Sequence, residues 1–317
     1  MQKKVVVFGG GTGLSSLLKG LKEYPLDITA VITVSDNGRS TGKLRKEFNV
    51  PAVGDIRKVI TSLSTSSDSI KEMMEYRFHT SSDLDGHAVG NLVLTSLLDI
   101  TGSLKDAIAS LCELFNVRHT VLPISEDSDL TLMAKFPNGE IVEGEENISE
   151  KGEVIEKIFY KEEPNVLKEV IDAINEADLI IFSMGSLYTS ILPNIICKDV
   201  EKALNNSKAP IMYVCNAMTQ PGETDKFKVS DHVKLLNSYL DKRKIDIVIA
   251  SNTKISKKIA KKYETEEQKD AVLVDHKNLD NMDVKLIESD LLIVENNVLR
   301  HDGFKIGSIV VSYLIGD

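Results

Sequence analysis

The stretch Gly9-Gly10-Gly11-Thr12-Gly13-Leu14-Ser15 has the composition of a phosphate loop. Glycines let backbone N–H groups approach a phosphate, and a helix starting there turns its partial positive end toward the anion. The spacing is Gly9-x-Gly11-x-Gly13, and Leu14 stands where the dinucleotide fingerprint has its last glycine,. A tightly packed βα turn that binds nothing is the competing account. Asp36 lies 23 residues beyond Gly13, near the ~20 expected of a ribose-binding carboxylate,. After it, Asn37-Gly38-Arg39-Ser40-Thr41-Gly42 combines glycines, hydroxyls and a guanidinium suited to phosphate or sugar, or forms a plain polar loop,. Asp55 in Gly54-Asp55-Ile56-Arg57 reads as a helix N-cap,. Asn91 closes Gly86-His87-Ala88-Val89-Gly90-Asn91, a helix start where backbone can approach a ligand or a neighbouring element,. Gly185, Ser186 and Leu187 belong to Met184-Gly185-Ser186-Leu187-Tyr188-Thr189-Ser190, and Asn216 opens Asn216-Ala217-Met218-Thr219-Gln220-Pro221-Gly222-Glu223-Thr224.

Such loops need strands to hold them. Val5-Val6-Val7-Phe8 runs into the first, the β-branched run 28–34 ends at Ser35-Asp36, and the apolar runs 179–182 and 211–215 precede the last two. Continuous apolar runs of this length suit parallel strands buried on both faces, and the helical pattern Leu14, Leu17, Leu18, Leu21 completes a βαβ unit,. Polar, glycine-bearing loops after successive parallel strands lie on one rim of the sheet, where open α/β sheets bind ligands. Further helices are expected over 67–79, 86–100, 104–115, 166–174 and 229–240, and a strand over 245–250. A Lys-rich helix ends near Tyr263, short strands follow around 271–274, 284–287, 291–294 and 298–299, and a last helix starts at Phe304,. Residues 117–163 break the rhythm. A strand over 117–124 and a hairpin across Asn138-Gly139 make this a small, largely antiparallel insertion, a lid or an oligomer contact, with the acidic run 143–150 as a solvated loop face,. The expected fold class is thus α/β, with residues 1–317 as a single domain carrying a β-rich insertion at about 117–163.

The 317 residues include 38 basic and 48 acidic side chains, a net charge of −10, which works against nucleic-acid binding,. No apolar run approaches the ~18 residues of a membrane helix, and Met1-Gln2-Lys3-Lys4 leads into a strand rather than a signal-peptide apolar region,. A cytoplasmic location without membrane insertion is expected. Cys112, Cys197 and Cys215 are odd in number and far apart, so they read as small buried apolar residues rather than a disulfide framework or zinc cage,.

With these loops assembled, the chain resembles the gluconeogenesis-factor family (YvcK type), which is similar in fold to the 2-phospho-L-lactate transferase CofD. The resemblance covers nearly the full length. It rests on Gly9 to Ser15, Gly54-Asp55-Ile56-Arg57, Gly86-His87-Ala88-Val89-Gly90-Asn91-Leu92, Gly185-Ser186-Leu187-Tyr188-Thr189-Ser190-Ile191-Leu192-Pro193-Asn194 and Cys215 to Thr224. It implies a Rossmann-like three-layer core, binding of UDP-sugars such as UDP-N-acetylglucosamine, and a role in cell shape and envelope synthesis when carbon enters by gluconeogenesis. It implies no demonstrated reaction. The tyrosine and arginine associated with the UDP-sugar in this family fall on Tyr263 and Arg300. Where relatives carry two successive acids after the second strand, this chain has Asp36-Asn37, with Arg39 in place of a small residue.

Three functions follow. The first is a non-catalytic regulatory protein that binds UDP-N-acetylglucosamine or UDP-glucose, requires no cofactor, self-associates and acts on an envelope-synthesis protein. Its glycine loops take the diphosphate, Tyr263 stacks on uracil and Arg300 pairs with an oxygen. The second is a Mg²⁺-dependent transferase of a phosphoryl-linked group, with Asp36 and Asp55 on the metal. Loss of the second acid weakens that reading, and Arg39 could neutralise phosphate charge instead. The third, an NAD(P)-binding oxidoreductase, follows from the first loop alone. Leu14 and the polar loop after Asp36 count against it, leaving NAD as an adventitious ligand.

Overall fold

The computed structural model describes residues 2–295 and 298–316, with Arg39 described for its backbone alone. The first part contains β1 (Lys3–Gly9), α1 (Gly11–Leu21), β2 (Leu26–Ile32), α2 (Arg39–Phe48), α3 (Gly54–Leu63), α4 (Asp68–Glu75), α5 (Val89–Thr101), α6 (Leu104–Leu114) and β3 (Thr120–Pro123). Then come β4 (Leu132–Lys135), β5 (Ile141–Glu143), α7 (Glu145–Lys151) and β6 (Lys157–Tyr160). The chain continues through α8 (Lys168–Glu176), β7 (Leu179–Phe182), a π-helical turn (Leu187–Ile191), α9 (Leu192–Ile195), α10 (Lys198–Asn206), β8 (Ile211–Val214), α11 (Val229–Tyr239) and β9 (Ile247–Ser251). Last are α12 (Lys257–Lys262), a second π-helical turn (Tyr263–Glu267), α13 (His276–Leu279), β10 (Lys285–Ser289), β11 (Leu292–Glu295), β12 (Val298–His301) and α14 (Gly303–Ile315).

Seven strands pair in parallel in the order β10-β9-β8-β7-β1-β2-β3. The chain builds outward from β1 to β2 and β3, then returns with β7 to the other flank of β1 and builds away to β10. That reversal leaves a crevice beyond the carboxyl ends of β1 and β7, a topological switch point. The two strands meet in register from Val5 opposite Leu179 to Phe8 opposite Phe182, whose rings pack edge to face at 5.9 Å,. The strand residues from Val5 to Phe8 and Leu179 to Phe182 are buried, as a sheet covered on both faces demands,. Helix α1 buries the stripe Leu14, Leu17, Leu18 and Leu21 completely, and packs between α3 and α14. Each such side chain contributes about 1.5–3 kcal/mol by leaving water. On another part of the sheet α8 packs beside α10. This is the expected α/β, Rossmann-like three-layer fold.

The antiparallel part is smaller than expected. Residues 120–123 join the parallel sheet as β3 beside β2, and only β5-β4-β6 form an antiparallel sheet, with β11-β12 as a separate hairpin. Apolar runs of four to eight residues do not declare their pairing direction, which explains the assignment of 117–124 to the insertion. Residues 271–274 form no strand, only a bridge between Ala271 and Met218. Cys197 and Cys215 are buried and Cys112 is half-buried, all as free thiols. Burial pushes Cys112 and Cys215 up to about 12, which favours the thiol over the thiolate at neutral pH,. Among the described residues no helix is long and apolar enough to cross a membrane.

Candidate functional site

Helix α1 opens directly into the crevice. Its N-cap is Gly10, with no side-chain cap and no acid in the first turn, so nothing in the helix itself competes with an incoming anion,. Gly11 holds φ at +61°, a conformation costly for other residues,. Gly13 answers to packing: a Cβ there would stand 1.9 Å from the Met184 carbonyl oxygen. The first loop therefore seats against the loop after β7, and the two form one wall. That second loop is itself braced. The Gly185 N–H donates to Asn216 Oδ1 at 3.0 Å, and Asn216 Nδ2 donates to the Gly185 carbonyl at 2.7 Å. Ser186 Oγ accepts from the Thr189 N–H and hydroxyl and donates to Glu223 Oε2 at 2.6 Å. Burial pushes the Glu223 carboxyl up, while the Ser186 hydroxyl pulls it back,.

Carboxylates supply the opposite chemistry. Asp55, expected as the N-cap, instead sits in the first turn of α3, two residues beyond the N-cap, which falls to Val53. Its side chain is thereby free to reach the cleft, where it pairs with Lys58 at 2.9 Å. Asp36 Oδ1 accepts from the Gly38 N–H at 2.9 Å. Burial, reinforced by nearby Asp55, pushes the Asp36 carboxyl up. Glu145 rises well above the carboxylate range, mainly through burial and then through repulsion from Asp36 and Asp55,. Residues 145–150, expected as a solvated loop, lie in α7, and Glu145 turns inward. Asn37 holds it there, its Oδ1 accepting the Glu146 N–H at 2.9 Å and so capping α7 from a different element,. Among the described residues no group of three or more His, Cys, Asp or Glu is arranged to hold a metal ion.

The far wall is cationic and aromatic. Lys269 pairs with Glu267 at 2.8 Å, and Arg300 on β12 is exposed, with no ion pair among the described residues. Tyr263 is 6% exposed, and its hydroxyl accepts the Leu299 N–H at 2.9 Å, which pins the strand carrying Arg300. His301 Nε2 donates to the Cys215 carbonyl at 3.1 Å, and burial lowers its ring to about 4, so it stays neutral. The walls enclose a cleft of about 700 Å³, within the usual range for small-molecule sites,.

Of the sequence-derived candidates, Gly10, Gly11, Thr12, Gly13, Asp36, Asp55, Gly185, Ser186, Asn216, Tyr263 and Arg300 line this cleft. Others lie behind it. Gly9 is buried against Ser183, and Leu14 and Leu187 are core residues. Asn37 docks α7, and Gly38 is the N-cap of α2. Ser40 and Asn91 are buried together, Asn91 Nδ2 donating to Ser40 Oγ at 3.2 Å and Ser40 facing His87 Nδ1 at 3.1 Å. They tie α2 to the start of α5 and offer the cleft nothing. The side chain of Arg39 lies outside the described residues. Lys58, Glu145, Lys269 and His301 line the cleft without having been singled out. Lys58 was legible, three positions beyond Asp55 on one helix face; Glu145 had no local signal.

Residues 5–292 match the family of the 2-phospho-L-lactate transferase CofD. The chain is 41% identical over 312 residues to the gluconeogenesis factor of Bacillus subtilis, covering 98% of each chain. The chain belongs to the gluconeogenesis-factor family. A putative gluconeogenesis factor of Thermotoga maritima is 43% identical over 315 residues, 97% of this chain and 98% of the other. A crystal structure of a Bacillus halodurans protein superposes with a TM-score of 0.94 at 38% identity, covering 98% of this chain and 100% of that one.

Proposed function

We propose that this gluconeogenesis-factor family member is a cytosolic regulatory protein that binds a nucleotide-sugar, UDP-N-acetylglucosamine or UDP-glucose. It serves cell shape and envelope synthesis under gluconeogenic growth, acting as a homo-oligomer on an envelope-synthesis protein. One observation carries the ligand class. A single cleft sets an uncapped helix N-terminus and the cation Arg300 beside the carboxylates of Asp36 and Asp55. Phosphates suit the first pair, and carboxylates, which repel phosphate, suit sugar hydroxyls as donors. A diphosphate bearing a sugar satisfies both. Tyr263 acts chiefly by positioning: its bond to Leu299 sets Arg300 against the phosphates. Titration calorimetry with UDP-N-acetylglucosamine, UMP and NAD tests the reading. Binding of the uridine ligands is expected, and no heat with any of them would sink it. For the cellular role, a strain lacking the chain loses normal shape on a gluconeogenic carbon source and keeps it on glucose.

The family match to a transferase supports a second reading, transfer of a phosphoryl-linked group. A Mg²⁺ ion would then be held by Asp36 and Asp55 together with the ligand's phosphates, supplying charge neutralisation. The existing Asp55–Lys58 pair and the Asp36–Gly38 hydrogen bond leave these carboxylates short of a ready cation cage. Asp36→Asn and Asp55→Asn separate the readings: binding and cellular rescue that survive both changes remove metal-assisted transfer.

A further inference from the structure

A second cavity, of about 570 Å³, adjoins the cleft at the carboxyl ends of β8 and β9. Asn216 and Ala217 line both. The backbone beside these two residues is held in place: the Val272 N–H donates to the Ala217 carbonyl at 3.0 Å, and Thr219 and Asp270 exchange two hydrogen bonds of 2.8 Å.

The two compartments differ in character. The cleft presents glycine backbone, hydroxyls, carboxylates and cations, and the ring of Tyr263 is almost wholly covered. Met184, Met218, Val298 and Leu299 also line it, but polar surface predominates. The second cavity is walled by Val229, Ala250, Ile255, Ala260, Val272 and Leu292. At its mouth stand Asn252 and Lys254, both exposed, and neither side chain has a hydrogen bond or ion pair among the described residues.

A nucleotide requires both environments. Its phosphates need donors and cations, while its base is a flat ring that gains by leaving water, provided its polar edge finds partners. A carboxamide both donates and accepts, and so matches a base edge that carries both kinds of group. We propose that the second cavity is the base pocket of the cleft's ligand. The nucleotide lies across Asn216 and Ala217, phosphates toward the start of α1, base against the apolar walls, with Asn252 at the base edge. This rests on the nucleotide reading above.

Filling the pocket tests it. Ala260→Leu on α12 and Ala271→Leu on the 271–274 segment add bulk from two unconnected elements. Calorimetry on the full chain uses UMP and, as a probe without a base, inorganic pyrophosphate. Each filling variant is expected to weaken UMP by about tenfold or more, equivalent to ~1.4 kcal/mol, and to leave pyrophosphate unchanged. Asn252→Ala alters an exposed side chain outside the core and is expected to weaken UMP several-fold. If wild type binds UMP and the filling variants bind it equally well, the base lies elsewhere and the inference falls while the nucleotide reading stands. If wild type binds no uridine nucleotide, the nucleotide reading itself has failed. Should the filling variants lose both ligands, Asn252→Ala decides: unchanged UMP affinity overturns the proposal.

Discussion

Single atoms decide several of the site's properties. The absent Cβ of Gly13 is one, since any side chain there would drive into the Met184 carbonyl, a backbone atom that cannot rotate away. Gly13→Ala is therefore expected to cost about 1–3 kcal/mol, the usual range for overpacking, and to weaken nucleotide binding by parting the two loops. Thermal unfolding and calorimetry read the two effects. His301 gives a pH signature. Its ring titrates near 4 in the folded chain against about 6.5 when unfolded,. Below 6.5 the unfolded chain takes up a proton that the folded chain refuses, so this contribution is complete above that pH and is lost as pH falls toward 4. The difference amounts to about 3 kcal/mol at most. His301→Gln keeps a donor for the Cys215 carbonyl, and denaturant melts between pH 7 and 4.5 should show a smaller loss of stability than in wild type. An equal loss would mean that the ring is not what resists protonation.

At the scale of elements, the site depends on a contact between segments far apart in the chain. Asn37 follows β2, yet it caps α7 inside the insertion. Arg45 adds a second tie, donating to the carbonyls of Ser35 and Asp36 on one side and of Ser128 and Leu130 on the other. Asn37→Ala removes a cap worth about 1 kcal/mol to the helix it starts. Limited proteolysis should then cut residues 137–153 faster than in wild type, while the parallel sheet stays protected; an unchanged pattern would mean that Arg45 alone holds the insertion. The same contact explains what sequence could and could not reveal. The loops after β1, β2, β7 and β8 were legible because strand, glycine and hydroxyl follow one another locally, and parallel pairing then places them on one rim. Tyr263 and Arg300 came from resemblance and carry no local mark. Glu145 was invisible, since an acid in an acidic run is ordinarily solvated, whereas here the cap from Asn37 docks α7 and the carboxyl meets Asp36 and Thr189, contacts with no local signal. Ser40 and Asn91 differ in the opposite sense: polar residues beside glycines suggest a ligand, but both are buried away from the cleft, bonded to each other and, through Ser40, to His87.

For the molecule as a whole, the decisive fact is that the cleft takes its walls from both sides of the switch point. The loop after β1 and the acids of the loop after β2, of α3 and of α7 come from one side, the loops after β7 and β8 and the hairpin β11-β12 from the other. Because β1 and β7 are paired in the middle of one sheet, neither side keeps its core if the other unfolds. A ligand that touches both should therefore stabilise the chain as one unit. At a free concentration one hundred times Kd the gain is about 2.7 kcal/mol. For a chain of this length the unfolding entropy turns that into a rise of ~4 °C in Tm. Scanning calorimetry with UDP-N-acetylglucosamine should accordingly show a single transition moving upward intact. Two transitions, of which the ligand moves only one, would mean that the sides of the sheet unfold separately and that the cleft belongs to one of them.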